Sequence, residues 1–238
     1  MESLVSMALM CCMRKLPPRL TLAAAVFGLS LYATFGLAEP PPDQRPNGLV
    51  RVPNARASVV YMRPGADFSK FRTIELRPLI IPTEVRDAAP PGARTRGFES
   101  YVLGDREVSA LQEEYDRAMR AQLSRVGYTF VTSTAPDTLI IQSQIIDIRL
   151  AAPLERTRRT STGRGFTLSQ GGGTMAIAMA FADGATSQVI AEAADRHFPA
   201  GVWGMNNRVA NRAEVRRAFN RWASRVADSL SVRKVSSQ

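Results

Sequence analysis

The chain has 238 residues, enough for one or two domains, with 31 Lys and Arg against 21 Asp and Glu, a formal charge of +10, one His and two Cys. Cys11 and Cys12 are both in the extreme N-terminal segment, so the rest of the chain has no disulfide, no thiolate nucleophile and no cysteine metal site. A lone histidine, without cysteines or well-spaced carboxylates, makes no zinc site either.

The first elements concern export. Arg14, Lys15 and Arg19 form a positive segment, Leu20–Phe35 is almost wholly apolar, and Gly36-Leu37-Ala38 puts small residues where a signal peptidase reads. This is the layout of a secretory signal peptide over residues 1–38, cut between Ala38 and Glu39. Met13 is an alternative start that would give the signal its usual charge order. The other reading is an uncleaved anchor, but the apolar run is short for a span and is interrupted by Gly28 and Ser30. Without Glu2, Arg14, Lys15 and Arg19, 28 basic and 20 acidic side chains remain, and only Lys70 and Lys234 of the basic ones are lysines. Arginine favours bidentate contact with phosphate and carboxylate, so the excess points to an anionic partner; the alternative is a merely solvated basic surface.

Residues 39–57 are rich in proline and read as an extended tether, followed by a single domain over 58–232 and a short tail, 233–238. Ser58–Met62 and Phe71–Leu76 are strand candidates, separated by the turn Arg63-Pro64-Gly65-Ala66-Asp67. Pro78 and Pro82 confine Leu79–Ile81 to an edge or to extended coil. Thr83–Tyr101 has little periodicity and reads as a long mobile loop. An amphipathic helix follows, with Val108, Leu111, Tyr115, Ala118, Met119, Leu123 and Val126 on one face, a capping box at Ser109 and Gln112, and Gly127 as its left-handed stop. Tyr128–Thr132 is a short strand and Thr138–Leu150 a long one. In the long strand Leu139, Ile141 and Ile145 have one parity and Ile146, Ile148 and Leu150 the other, which predicts a bulge near Ile145.

Ala151–Gly173 links this strand to the next. It carries Arg156, Arg158, Arg159 and Arg164 and is the best candidate for an anion contact. Its glycines are turn formers, since Gly163-Arg164-Gly165 matches neither a dinucleotide fingerprint nor a phosphate loop. In Thr174–Ala182 the large residues Met175, Ile177, Met179 and Phe181 face the core, and the alternating alanines fit beneath a helix. Asp183-Gly184 turns into the return strand Gln188–Phe198. Gly201–Ala210 reads as a loop whose Trp203 is either a contact anchor or a cover for the core. Asn211 caps a last helix, with Val215, Phe219, Trp222, Val226 and Leu230 as its core stripe and Arg217, Arg221 and Arg225 as a solvated row. No aromatic residues interleave with that row, which argues against nucleic acid as a partner. His197 has Asp195 and Asp147 as triad candidates, but there is no nucleophile elbow, and no catalytic, metal-binding or cofactor-binding residues are assigned.

The ordered set formed by Tyr61-Met62-Arg63-Pro64-Gly65-Ala66-Asp67-Phe68-Ser69-Lys70-Phe71, the helix ending at Gly127-Tyr128, the Asp137–Leu150 strand, the Gly-rich entry to Thr174–Ala182 and the closing helix with Trp222 resembles the bacterial family known as domain of unknown function 3313. Members of that family are mostly exported lipoproteins of Gram-negative bacteria, so the resemblance implies an envelope protein of no known activity. The chain departs from it at Leu37-Ala38-Glu39, where a lipoprotein has its cysteine. The expectation is an α+β domain with an antiparallel sheet of about five strands and two helices packed on one face. The expected role is a non-catalytic protein, periplasmic or peripherally membrane-associated. It would bind an anionic envelope surface or another envelope protein, with no membrane span in the mature chain and no cofactor. A periplasmic hydrolase with an unrecognised site, marked by a deep pocket at His197, and a structural subunit with Trp203 at its interface are the alternatives.

Overall fold

Alternation of large and small residues builds the centre of the sheet. The computed structural model describes residues 43–89, 101–151, 167–170, 173–198, 203–206 and 208–235. Its elements are strands β1 (Val50–Arg51), β2 (Val59–Met62) and β3 (Thr73–Leu76), helix α1 (Asp105–Arg125), β4 (Thr129–Phe130), β5 (Thr138–Arg149), β6 (Thr167–Gln170), β7 (Thr174–Asp183), β8 (Val189–His197), β9 (Trp203–Asn206) and helix α2 (Arg208–Val235). Seven strands form one sheet in the order β1-β2-β8-β7-β5-β3-β4. The sheet is mixed, which corrects the expected five antiparallel strands. β3 runs parallel to both β4 and β5, because α1 crosses over between them. β1 and β4 are two residues each, too short to leave a periodic signal.

Both helices lie on one face of this sheet. Register places Ile145, Ile177 and Asp195 side by side, with Ser143, Met179 and Ala193 in the next row. The Tyr115 hydroxyl of α1 meets Ser143 Oγ at 2.8 Å, and Trp222 Nε1 of α2 donates to Asp195 Oδ2 at 3.0 Å. The expected bulge lies between Ile145 and Asp147. It returns Ile148 and Leu150 to the helix-covered face, where they are buried. The alanine row of β7 faces away from both helices, so the helix expected over it lies on the other side.

The helix starts differ from expectation. α1 begins at Asp105 after Gly104, and Asp105 and Glu107 place acid in its positive first turn. Ser109 is therefore inside the helix rather than at its cap, and Gln112 Nε2 donates instead to the Leu79 carbonyl at 2.9 Å. Its end is as expected. Gly127 has φ +84, its N–H bonds Ser124 O, and the Tyr128 N–H reaches back to Leu123 O, a Schellman stop closed by two buried side chains. α2 begins at Arg208, ahead of Asn211. Asn211 is buried within the helix, and its Oδ1 accepts from the Ala151 N–H at 3.2 Å. α2 also runs into the residues read as a tail.

Most of the proline-rich stretch, from Gln44 on, is part of the domain. Gln44 bridges Val50, Leu49 is fully buried, and the Arg45 guanidinium sits 4.4 Å from the centroid of the Tyr61 ring. This segment covers the sheet face opposite the helices, where Asn47 Nδ2 donates to Glu192 Oε1 at 3.1 Å. The Tyr61–Phe71 motif holds it there. Arg63 Nη2 donates to Asn47 O and to Val189 O, both at 3.1 Å, Gly65 turns at φ +73, and Phe68 and Phe71 pack edge to face in the core. Lys70 pairs with Asp183 at the β7–β8 turn. The motif is thus a fastening between the N-terminal segment and the central hairpin.

Candidate functional site: the end of the sheet where both helices begin

Antiparallel register gathers several element ends. Arg149 of β5 lies opposite Thr174 of β7, and Met175 lies opposite His197 of β8. α2 joins them through Asn211 and Glu214, and α1 through the Leu103 N–H to Arg86 O bond next to the Asp87–Val102 bridge. The Leu150 N–H donates to Ala88 O, and Arg149 Nη1 donates to Ala89 O at 3.1 Å, closing this end of the sheet. Gly173 is required here. A Cβ at that position would lie 2.0 Å from Arg149 O. Both helices point their positive N-termini toward this end.

His197 is buried within it. Its Nε2 faces Glu214 Oε2 at 3.2 Å, and its Nδ1 is buried without a hydrogen-bond partner among the described residues. A carboxylate accepts, so the proton is on Nε2. Burial pushes the Glu214 carboxyl up, but hydrogen bonds from Arg217 and His197 outweigh it and hold the group below its ordinary value. The adjoining cavity is about 10 Å³, room for one water. The partner of His197 is thus Glu214, while Asp195 is taken up elsewhere, by Ser58, Trp222 and Arg225. Arg225 is therefore drawn inward, out of the expected solvated row, while Arg217 stays exposed and pairs with Glu214.

A groove of about 410 Å³ opens between the N-terminal halves of the two helices. Leu103, Leu111, Ile148, Leu150 and Val215 form its apolar floor. Glu114 accepts from Arg117 at 2.7 Å and from Arg216 at 2.8 Å, one carboxylate bridging both helices along the groove. Arg106 and Arg212 also line it, exposed and without an ion-pair partner among the described residues. This groove was not legible in the sequence. A cap at Ser109 puts Arg106 outside the helix, and Leu111 and Val215 read simply as core.

Of the sequence-predicted site residues, Arg156, Arg158, Arg159 and Arg164 lie outside the described residues, as do Ala38 and Glu39. Trp203 belongs to a strand rather than a loop: β9 pairs antiparallel with β6 as a separate two-stranded sheet, Trp203 opposite Gln170 and Met205 opposite Leu168. Among the described residues no helix is long and apolar enough to cross a membrane, and no group of three or more His, Cys, Asp or Glu could hold a metal ion.

Acid should weaken the fold through its depressed carboxylates. Burial pushes Asp183 up, but the Lys70 ammonium and the Ala185 and Thr186 N–H groups more than offset it, and Glu214 is lowered likewise. A lowered folded-state pKa gives stability that is complete above the ordinary carboxylate range and is lost as pH falls through the folded value. Melting temperature followed from about pH 6 to about pH 3 should therefore fall steeply at the acid end. Asp183→Asn should flatten that limb, and an unchanged slope would remove Asp183 from the account.

A family model described as Protein of unknown function (DUF3313) matches residues 46–226. Among solved structures, the chain is similar to protein XCC0632 from Xanthomonas campestris at 11% identity, over 74% of this chain and 94% of that one, with a TM-score of 0.42. It is also similar to the PelC dodecamer from Paraburkholderia phytofirmans, at 7% identity over 70% and 96% of the two chains and a TM-score of 0.37. A minor lipoprotein from Acinetobacter baumannii is 10% identical over 68% and 94%, with a TM-score of 0.32. No curated protein matches the chain.

Proposed function

The chain belongs to the DUF3313 family of proteins of unknown function, and within it we propose a non-catalytic, exported envelope protein that docks the helix-start end of its sheet on an anionic envelope surface. One observation carries this reading. The connections that leave this end, 90–100 and 152–166, hold Arg94, Arg96, Arg156, Arg158, Arg159 and Arg164 against only Glu99 and Glu155. The two helix N-termini add positive potential at the same end. The signal-peptide layout of residues 1–38 supports export, and the absence of a cysteine at Ala38-Glu39 favours peripheral contact over a lipid anchor.

Co-sedimentation of Glu39–Gln238 with vesicles of phosphatidylglycerol and phosphatidylethanolamine tests the proposal. Pelleting is expected at low salt, weaker near physiological salt, where screening acts over about 8 Å, and absent with phosphatidylcholine alone. Each arginine near an anionic surface contributes about 1 kcal/mol, so replacing Arg156, Arg158, Arg159 and Arg164 with serine should weaken partitioning on the order of 1,000-fold. Equal pelleting of the variant would overturn the proposal. Binding to isolated envelopes but not to lipid vesicles would instead assign the contact to another envelope protein.

A further inference from the structure

We infer that the groove between the N-terminal halves of α1 and α2 is a binding site for a single-chain anionic amphiphile, an acyl chain carrying one acidic head group. The inference takes from the preceding reading only the envelope as the source of such a ligand.

The groove has two chemically distinct parts. Its floor, from Leu103 and Leu111 to Ile148, Leu150 and Val215, presents apolar side chains and is closed beneath by the core. Its volume, about 410 Å³, falls within the range of small-ligand sites. The charged groups on its walls divide into two sets. Glu114 is saturated by Arg117 and Arg216, which leaves that part of the wall neutralised and tied across both helices. Arg106 is two turns nearer the start of α1, about 12 Å away along the helix axis. Arg212 is one turn before Arg216 on α2. Neither Arg106 nor Arg212 has a hydrogen-bond or ion-pair partner among the described residues, and both stand where the two helix dipoles present their positive ends. Glu107 and Glu113 also line the groove, so a free cation has carboxylates available. A cation, however, would leave the apolar floor uncovered and both arginines unpaired. An acyl chain on the floor with its acid between Arg106 and Arg212 satisfies both parts.

Fluorescence titration of the protein with cis-parinaric acid, followed by displacement with oleate or with lysophosphatidylglycerol, tests this. Saturable one-to-one binding is expected, with displacement by at least one of the two amphiphiles. Which one displaces the probe identifies the source as free fatty acid or lipid. An uncharged detergent of equal chain length should displace it poorly. The Arg106→Ser, Arg212→Ser double variant should raise Kd about ten-fold or more, since two charge-assisted contacts are lost. Ala110 is exposed on the groove wall, so Ala110→Trp should fill the groove and abolish binding while leaving the melting temperature near that of the parent. Unaltered affinity in either variant, or no displacement by either amphiphile, would overturn the inference. Vesicle pelleting through the loop arginines is read separately, so either proposal can fail while the other stands.

Discussion

Replacing Asp195 with alanine is expected to remove about 3 kcal/mol of folding stability, the low end for breaking a buried ion pair from one side, because Arg225 keeps a third of its side chain in solvent. Asp195 is 9% exposed and is the meeting point of three elements. It accepts from the Ser58 N–H at 3.1 Å and the Ser58 hydroxyl at 2.8 Å, from Trp222 Nε1 at 3.0 Å and from Arg225 Nη1. Alanine leaves the indole N–H and the guanidinium facing a space with no acceptor, and each carries its own desolvation cost. Urea unfolding should show a lower midpoint with an unchanged slope. Adding Arg225→Met should recover part of the loss, because it removes the stranded charge. If the single variant cost less than about 1 kcal/mol, Asp195 would be a surface group in effect and the coupling of α2 to β8 would have to be sought elsewhere.

The second large effect is expected at Phe219, where truncation to alanine should cost about 3–5 kcal/mol. Its ring is 1% exposed and stands edge to face with Tyr115 at 5.8 Å on one side and with Trp222 at 5.8 Å on the other. The three rings tie α1, α2 and the sheet together, since Tyr115 also reaches Ser143 and Trp222 reaches Asp195. Removing the middle ring opens a cavity and deletes both aromatic contacts, each contributing about 0.5–1.5 kcal/mol beyond its buried area. For a domain of this size the melting temperature should drop by roughly 6–20 °C. Phe219→Leu should lose less, because it keeps most of the volume. Equal losses in the two variants would mean that the aromatic geometry contributes nothing.

What could be read from the residues was the part fixed by periodicity and local chemistry. The face of α1 from Val108 to Leu123 is buried as its spacing required, Gly127 stops the helix, and the phase change in β5 appears as a bulge at Ile145. The large residues of β7 meet the helices. The misses share a cause, which is that tertiary partners decided them. Gly104 starts α1 without a side-chain cap, so no cap signal marked Asp105. Asn211 looked like a cap because its type prefers one, but its amide oxygen is committed to the Ala151 N–H. Thr73–Leu76 carries no mark of its direction, and only the α1 crossover makes it parallel to β5. β1, at two residues, vanished into the proline-rich stretch. Arg225 was placed on an outward row by helix spacing alone, though its length lets it reach back to Asp195. The groove was invisible for a related reason. Its floor is made of residues that periodicity assigns to the core, and Arg106 and Arg212 are distinguished only by having no ion-pair partner among the described residues.

The position of β2 beside β8 also sets a timetable for the chain. Val59 pairs with Ala194, Asn47 bonds Glu192 across 145 residues of sequence, and Ser58 bonds Asp195 across 137. β1 and β2 therefore have only each other to pair with until nearly the whole domain has been delivered, and Trp222 must follow before the Asp195 cluster closes. Such distant pairings make folding slow, because the loop entropy is lost before the contacts form. The domain therefore cannot close until its last helix has been made, because Trp222 and Arg225 complete the cluster that holds β8.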